Sequence, residues 1–355
     1  MHTGVIVMVK GILQAYGKYL PLTEGTPTLS LCEGGTPLVS VRNLGEELSV
    51  ELFAKYEGLN PTGSFKDRGM VLAVAKAVEE GAKAVICAST GNTSASAAAY
   101  AAAAGIPCFV LLPAGAVALG KLAQAMIYGA RVLAVRGNFD RALEMAREGA
   151  ERAGYAIVNS VNPYRLMGQR SAAWEICDEL GEPPDRLVLP VGNAGNISAY
   201  CAGFEFYREL GLIERLPKLV GVQAEGAAPL VTGREFDEPE TVATAIRIGR
   251  PVGAETARRA VEVTQGRFMA VSDDEILDAQ RLLASSDGLF AEPASCAPLA
   301  GLLKLKRGGE LPPGLRVVMV LTGNGLKDPD SARSRANPPQ EIDGTFDALA
   351  EAIGL

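Results

Sequence analysis

Residues 60–70, NPTGSFKDRGM, set one lysine, Lys66, between a glycine-containing turn and the first turn of an expected helix. A helix N-terminus carries partial positive charge, and Arg68 stands two residues further on. Both disfavour another cation at this point, and burial would lower a lysine pKa further. A lysine tuned in this way can react with an aldehyde and shuttle protons. The chain holds one histidine, His2, beside the first methionine. That excludes Ser-His-Asp and Cys-His catalysis and most zinc hydrolases. Proton transfer is left to lysine, carboxylate, hydroxyl or a cofactor.

Three loops follow apolar runs and could face one crevice, because open α/β sheets bind ligands beyond the carboxyl ends of their strands. Ser89-Thr90-Gly91-Asn92-Thr93-Ser94 opens an alanine-rich helix. One hydroxyl would suffice for an N-cap; the longer polar run suits an anion on converging N–H groups. Gly192-Asn193-Ala194-Gly195-Asn196 lies between the strand RLVLPV and a helix. Such a turn can hold a phosphate, although αβ turns often carry Gly and Asn for purely local reasons. It matches neither GxGxxG nor GxxxxGK[ST]. Leu321-Thr322-Gly323-Asn324-Gly325 follows RVVMV and points Thr322 toward the same place. A reactive lysine, a phosphate cradle that is not a nucleotide motif and no usable histidine together indicate pyridoxal 5′-phosphate, whose ring stores the charge of a carbanion next to an amino group.

The positioning elements read as alternating strand and helix from about Ala54. Helices are expected over Arg68–Glu80, the alanine-rich stretch to Gly105, Leu119–Tyr128, Asp140–Ala153 and Ile197–Leu210. Strands are expected in AVICAS, PCFVLLP, ARVLAVRG, DRLVLPVG, KLVGVQAEG and RVVMVL. This alternation implies mainly parallel sheets with helices on both faces. The tail after Lys327 is polar and ends in a short amphipathic helix.

The segments EGLNPTGSFKDRGM, CASTGNTSASAAAYAAAAGI, VNSVNPYRLMGQ, LPVGNAGN and LTGNGLKDPD together resemble the threonine synthase family, within the tryptophan-synthase-β-like group of pyridoxal-phosphate enzymes of fold type II. The resemblance runs from about Glu33 to Asp330. It implies a two-lobe fold, with a large cofactor-binding domain of residues 1–58 plus 162–355 and a smaller mobile domain of residues 59–161. It implies that Lys66 is the Schiff-base lysine and main acid/base. Asn92 matches the asparagine on the ring 3′-oxygen. Gly192, Asn193, Ala194, Gly195 and Asn196 match the loop around the cofactor phosphate, and Thr322 the hydroxyl facing the pyridine nitrogen. Ser89, Thr90, Gly91 and Thr93 match the loop for the substrate carboxylate. Asn159, Ser160 and Arg165 match the region for the substrate phosphate, a task that suits a guanidinium. The implied substrate is O-phospho-L-homoserine, the implied products are L-threonine and phosphate, and the implied assembly is a homodimer. A threonine or serine dehydratase shares the fold and cofactor, and SFK-x-RG alone does not separate the two. Asp67, Thr322 and LKDPD favour threonine synthase. A catalytically silent pyridoxal-phosphate or phosphate-binding regulator is a reading from another class, against which an intact Lys66 argues.

Composition agrees with a globular enzyme. The 355 residues are 48% hydrophobic and 21% charged, with a net charge of −7. No long basic run points to nucleic acid. The apolar run near Ala97–Ala104 falls short of the roughly 20 residues of a membrane span. Six cysteines, Cys32, Cys87, Cys108, Cys177, Cys201 and Cys296, form no CxxC pair. They read as reduced thiols of a cytoplasmic protein, not as a zinc site.

Overall fold

The computed structural model describes residues 10–115, 119–137, 139–336 and 338–355; His2 lies outside them. Ten strands occur among the described residues: β1 (Leu38–Ser40), β2 (Glu51–Tyr56), β3 (Val85–Ala88), β4 (Cys108–Pro113), β5 (Arg131–Val135), β6 (Ala156–Ile157), β7 (Arg186–Pro190), β8 (Lys218–Ala224), β9 (Arg267–Val271) and β10 (Arg316–Leu321). The larger sheet has the order β1-β2-β10-β7-β8-β9 and the smaller β5-β4-β3-β6. All neighbours are parallel except β1 with β2. The expected α/β class with mainly parallel sheets is therefore the class observed. The pattern starts earlier than Ala54, however, because β1 precedes it and β2 already begins at Glu51.

The last strand sits near the middle. β10 pairs with β2 on one side and with β7 on the other. This order brings together the loops that follow β2, β10 and β7, which are the Lys66 loop, the Thr322 loop and the Gly192 loop.

Helices cover both faces of the larger sheet, and its strands are apolar on both sides, as parallel sheets require. Leu187, Leu189, Leu219, Val318 and Val320 face one core, which also holds Trp174 and Phe204. Val188, Val220, Val317 and Met319 face a second core with Leu44, Ile276 and Leu299. Val85, Cys87, Val110 and Leu112 of the smaller sheet join the first core. The two sheets thus share one apolar interior. The other side of the smaller sheet packs Ile86 and Leu111 against Ala142 and Ala146 of helix Phe139–Ala153. No described helix is long and apolar enough to cross a membrane.

Helix Lys66–Glu79 runs through the shared core and is buried from Asp67 to Ala77. It starts two residues before its expected start and stops before Gly81, whose φ of 75° suits glycine. It crosses helix Pro163–Gln169 backbone to backbone. A Cβ at Gly69 would lie 2.4 Å from the Arg165 carbonyl oxygen, and one at Gly168 would lie 2.2 Å from that of Arg68. Both glycines are required by this close approach, which carries Arg165 up beside the start of the Lys66 helix.

Gly168→Ala should therefore force the helices apart and lower the unfolding free energy by about 2–4 kcal/mol. Urea unfolding followed by circular dichroism checks this; a loss below ~0.5 kcal/mol would contradict so close a crossing.

Candidate active site

The Thr322 loop is fastened on both sides by backbone hydrogen bonds. Phe65 N–H donates to Thr322 O at 3.0 Å, and Asn324 N–H donates to Gly63 O at 2.9 Å. On the other side, Glu292 N–H donates to Gly323 O at 3.1 Å and Gly325 N–H to Phe290 O at 3.1 Å. The Lys66 loop, the Thr322 loop and residues 290–292 form one unit. A Cβ at Gly323 would come within 2.4 Å of Glu292 Oε1 and would displace that carboxylate from its present place.

Lys66 is the first residue of its helix and is half-buried, with Nζ 4.2 Å from the centre of the Phe65 ring. Burial, reinforced by the Arg165 cation, pulls its pKa down to about 7, while Glu292 opposes the shift. The cation responsible is not the one expected from the sequence. Arg68 points away into the interior, where its Nε donates to Glu57 at 2.6 Å and its two terminal nitrogens donate to Glu175 at 2.6 Å each. Its charge is locally cancelled, and Arg165 fills the role instead. Asp67 secures the loop: it accepts from Thr62 N–H at 2.7 Å, Thr62 Oγ1 at 2.6 Å and Ser96 Oγ at 2.6 Å.

Arg165 is fully buried. One terminal nitrogen donates to Val158 O at 2.8 Å, and its Nε has no partner among the described residues. Burial lowers its pKa to about 10 against the weaker influence of Cys87 and Asp67, and no described carboxylate lies within ion-pair distance of it. A buried guanidinium without a counter-ion is a site for an anion.

The residues of the Ser89 loop surround the start of helix Asn92–Ala104, for which Gly91 is the N-cap. Ser89, Thr90, Gly91, Asn92 and Thr93 are all partly open to solvent. Ser89 Oγ accepts from Gly91 N–H at 3.2 Å, and Asn92 Nδ2 donates to Glu292 Oε1 at 3.1 Å. Asn159 stands one step back: its amide accepts from Ala88 N–H at 3.0 Å and donates to Ala88 O at 2.9 Å. It holds the end of β3, from which the Ser89 loop springs.

The Gly192 loop opens helix Gly195–Glu209. Ala194, its N-cap, has φ 65°. A Cβ at Gly192 would lie 2.8 Å from Ile246 Cα. Asn193 accepts from Val252 N–H at 2.8 Å and donates to Ser160 Oγ. Asn196 Nδ2 is buried without a partner. Thr322 Oγ1 lies 2.8 Å from Ser295 Oγ, which also accepts from Gly323 N–H at 2.8 Å.

Lys66, Asn92, Thr322 and the Ser89 loop thus converge through Glu292 and the Thr322 unit, and Arg165 reaches Lys66. Ser160 joins the Gly192 loop through Asn193. Sequence reading misses Glu292, Ser295 and Lys327. Lys327 Nζ donates to Thr62 O at 2.8 Å and Gln124 Oε1 at 2.6 Å. Its segment LKDPD stands out in the sequence, but its reach to the Lys66 loop does not. Glu292 and Ser295 lie in AEPASCAP, which offers no glycine turn to draw attention.

A phosphorylated cofactor aldehyde fits these residues. The amine is near neutrality. The orphan Asn196 Nδ2 stands at a helix N-terminus suited to phosphate. Ser64 Oγ is a further buried hydroxyl without a partner.

Because Arg165 holds the Lys66 pKa down, Arg165→Gln should raise it. In cofactor-free protein, reductive methylation of Lys66, read by peptide mass spectrometry, should rise with pH through a midpoint near 7. In R165Q the midpoint should move upward, since removing a cation makes protonation easier. An unmoved or lowered midpoint would contradict the pairing.

A family model described as "Pyridoxal-phosphate dependent enzyme" matches residues 29–323. A threonine synthase of Halalkalibacterium halodurans is 57% identical over 325 residues, 92% of either chain. One of Mycobacterium tuberculosis is 52% identical over 346 residues, 97% of this chain and 96% of that one. Among solved structures, maize serine racemase superposes with a TM-score of 0.74 at 20% identity, covering 84% of this chain and 91% of its own. The processed form of threonine deaminase isoform 2 from Solanum lycopersicum gives 0.72 at 22% identity, covering 91% and 83%. The chain belongs to the pyridoxal-phosphate dependent enzymes and, among them, to the threonine synthase family.

Proposed function

We propose that the protein converts O-phospho-L-homoserine and water into L-threonine and inorganic phosphate, as a homodimer in the cytoplasm. The observation that carries the substrate choice is Arg165, a buried guanidinium beside the reactive lysine with no described carboxylate in ion-pair contact and an Nε without a partner among the described residues. An unphosphorylated hydroxy amino acid would leave that charge without a partner, at a cost of several kcal/mol. A reducing compartment is in keeping with the cysteines, which are all free, with five of the six buried.

Bound pyridoxal phosphate supplies an electron sink for the carbon next to the substrate's amino group. Lys66 would hold its aldehyde and, once displaced, take the substrate's α-proton. An amine near neutrality suits this work because it can both accept and return a proton at pH 7. The N–H groups from Gly192 to Asn196 would hold the cofactor phosphate, with Asn193, Ala194 and Gly195 forming the turn. Asn92 would donate to the ring oxygen. Thr322, held by Ser295, would face the ring nitrogen as a neutral hydroxyl.

Ser89, Thr90, Gly91 and Thr93 would receive the substrate carboxylate at their helix N-terminus. Arg165, Ser160 and Asn193 would hold the substrate phosphate as it leaves the γ-carbon, and Asn159 would act from behind by holding the loop. After a proton has left the β-carbon and phosphate has departed, water adds at the β-carbon. Residues 59–161 would close over residues 1–58 and 162–355 to exclude water before that step. The Lys327–Gln124 and Asn92–Glu292 hydrogen bonds would bridge the two parts.

With cofactor and O-phospho-L-homoserine, phosphate and L-threonine should appear in equal amounts. Lys66→Ala should lose at least ~1,000-fold in turnover. Arg165→Ala should lose about 30-fold or more in kcat/KM, or ~2 kcal/mol. Phosphate accompanied mainly by 2-oxobutyrate would favour a dehydratase, and no phosphate release would overturn the substrate assignment.

A further inference from the structure

Glu292 is a buried carboxylate that the reaction outlined above does not use. It is also the N-cap residue of helix Pro293–Arg307, but its side chain makes no capping hydrogen bond. The side chain instead turns into the crevice. Asn92 Nδ2 donates to its two oxygens at 3.1 and 3.3 Å. Its backbone is tied to Gly323, and the missing side chain at residue 323 leaves room for the carboxylate. Lys66 and Lys327 are the cations near it, and Asp328 and Cys296 are the other titratable groups whose charges act on it or feel it. Burial, the largest influence, raises its pKa, and Asn92 and the two lysines oppose that shift without cancelling it.

An asparagine amide can present either its oxygen or its nitrogen to a ligand. Both carboxylate oxygens of Glu292 lie on the Asn92 nitrogen, so the carboxylate is the acceptor of this pair. Glu292 therefore selects the donor end of Asn92. One Nδ2 hydrogen is committed to Glu292, and the second remains for another acceptor. The ring oxygen of pyridoxal phosphate is such an acceptor. We propose that Glu292 is a positioning residue that fixes the amide of Asn92 so that its donor end meets the cofactor's ring oxygen. This rests on Lys66 being the residue that holds the cofactor, but not on the identity of the substrate. It assigns a task to the AEPAS segment, which otherwise only begins a helix.

The test is a double-mutant cycle on the cofactor-loaded protein without substrate. Wild type, Glu292→Gln, Asn92→Ala and the double variant are compared by visible absorption maximum and by apparent dissociation constant for pyridoxal phosphate. A glutamine can offer Asn92 either end of its amide, so the constraint is lost while volume is kept. Glu292→Gln should weaken cofactor binding about fivefold to tenfold and shift the absorption maximum. In the Asn92→Ala background the same change should do neither.

Equal effects of Glu292→Gln with and without Asn92 would overturn the proposal, as would an unchanged maximum and affinity in the single variant. If Glu292→Gln does not fold, Glu292→Asp serves. It keeps the charge but withdraws the carboxylate from Asn92, and it should show the same coupled loss. A wild-type protein that binds no cofactor at Lys66 would overturn both this proposal and the cofactor reading. A wild type that binds it but ignores O-phospho-L-homoserine would overturn only the substrate reading.

Discussion

The site depends on a buried charge cluster behind the reactive lysine. Arg68 leaves the Lys66 helix in the opposite direction from Lys66 and is gripped by Glu57, just after β2, and by Glu175 on helix Ser171–Leu180. Lys55 joins through Glu175 at 3.0 Å, and Asn60 Nδ2 donates to Glu57 at 3.1 Å. Burial opposes the Glu175 charge, but Arg68 and Lys55 hold its pKa down to about 2. Such clusters rarely add net stability over apolar packing, yet removing one partner leaves a buried charge unpaired. The cluster therefore specifies position. It fixes the start of the Lys66 helix against the larger sheet with directional hydrogen bonds that apolar contacts lack.

From this anchor the electrostatics of the site follow. The cationic charge of Arg68 is neutralised where it stands, so it does not tune Lys66. Among the described residues Arg165 has no such ion pair: the one hydrogen bond of its guanidinium is to Val158 O, and Cys87 and Asp67 act on its charge only at longer range. Two buried cations next to each other are unstable, and the lysine, with the lower intrinsic pKa, yields its proton. A single arrangement thus provides a basic amine for proton transfer and a fixed cation for an anionic substrate group. Glu292 acts on Lys66 in the opposite sense to Arg165, and Lys327 is fastened to the Lys66 loop through Thr62.

Much of this is legible in the chain before folding is considered. Lys66, the Ser89 loop and the Gly192 loop lie in short segments whose residue types declare their use. Their strands and helices follow from local apolar patterns. What stays hidden depends on distant pairing. Glu292 meets Asn92 from 200 residues away, and Arg68 meets Glu175 from 107 residues away. Nothing local tells a surface glutamate from these. The place of β10 between β2 and β7 is also invisible in the sequence, because strand order is decided by which apolar faces can be covered together. Asn159 reads as a ligand for phosphate by resemblance, and the sequence does not show that its amide also ties down the Ala88 backbone.

In the proposed reaction phosphate leaves by breaking a carbon–oxygen bond, and water then adds to the β-carbon. Turnover of O-phospho-L-homoserine in 18O-labelled water tests it most directly, with mass spectrometry of both products. One solvent oxygen is expected in the hydroxyl of L-threonine and none in the first phosphate released. Solvent oxygen in phosphate, with homoserine as the other product, would mean attack at phosphorus and would contradict it.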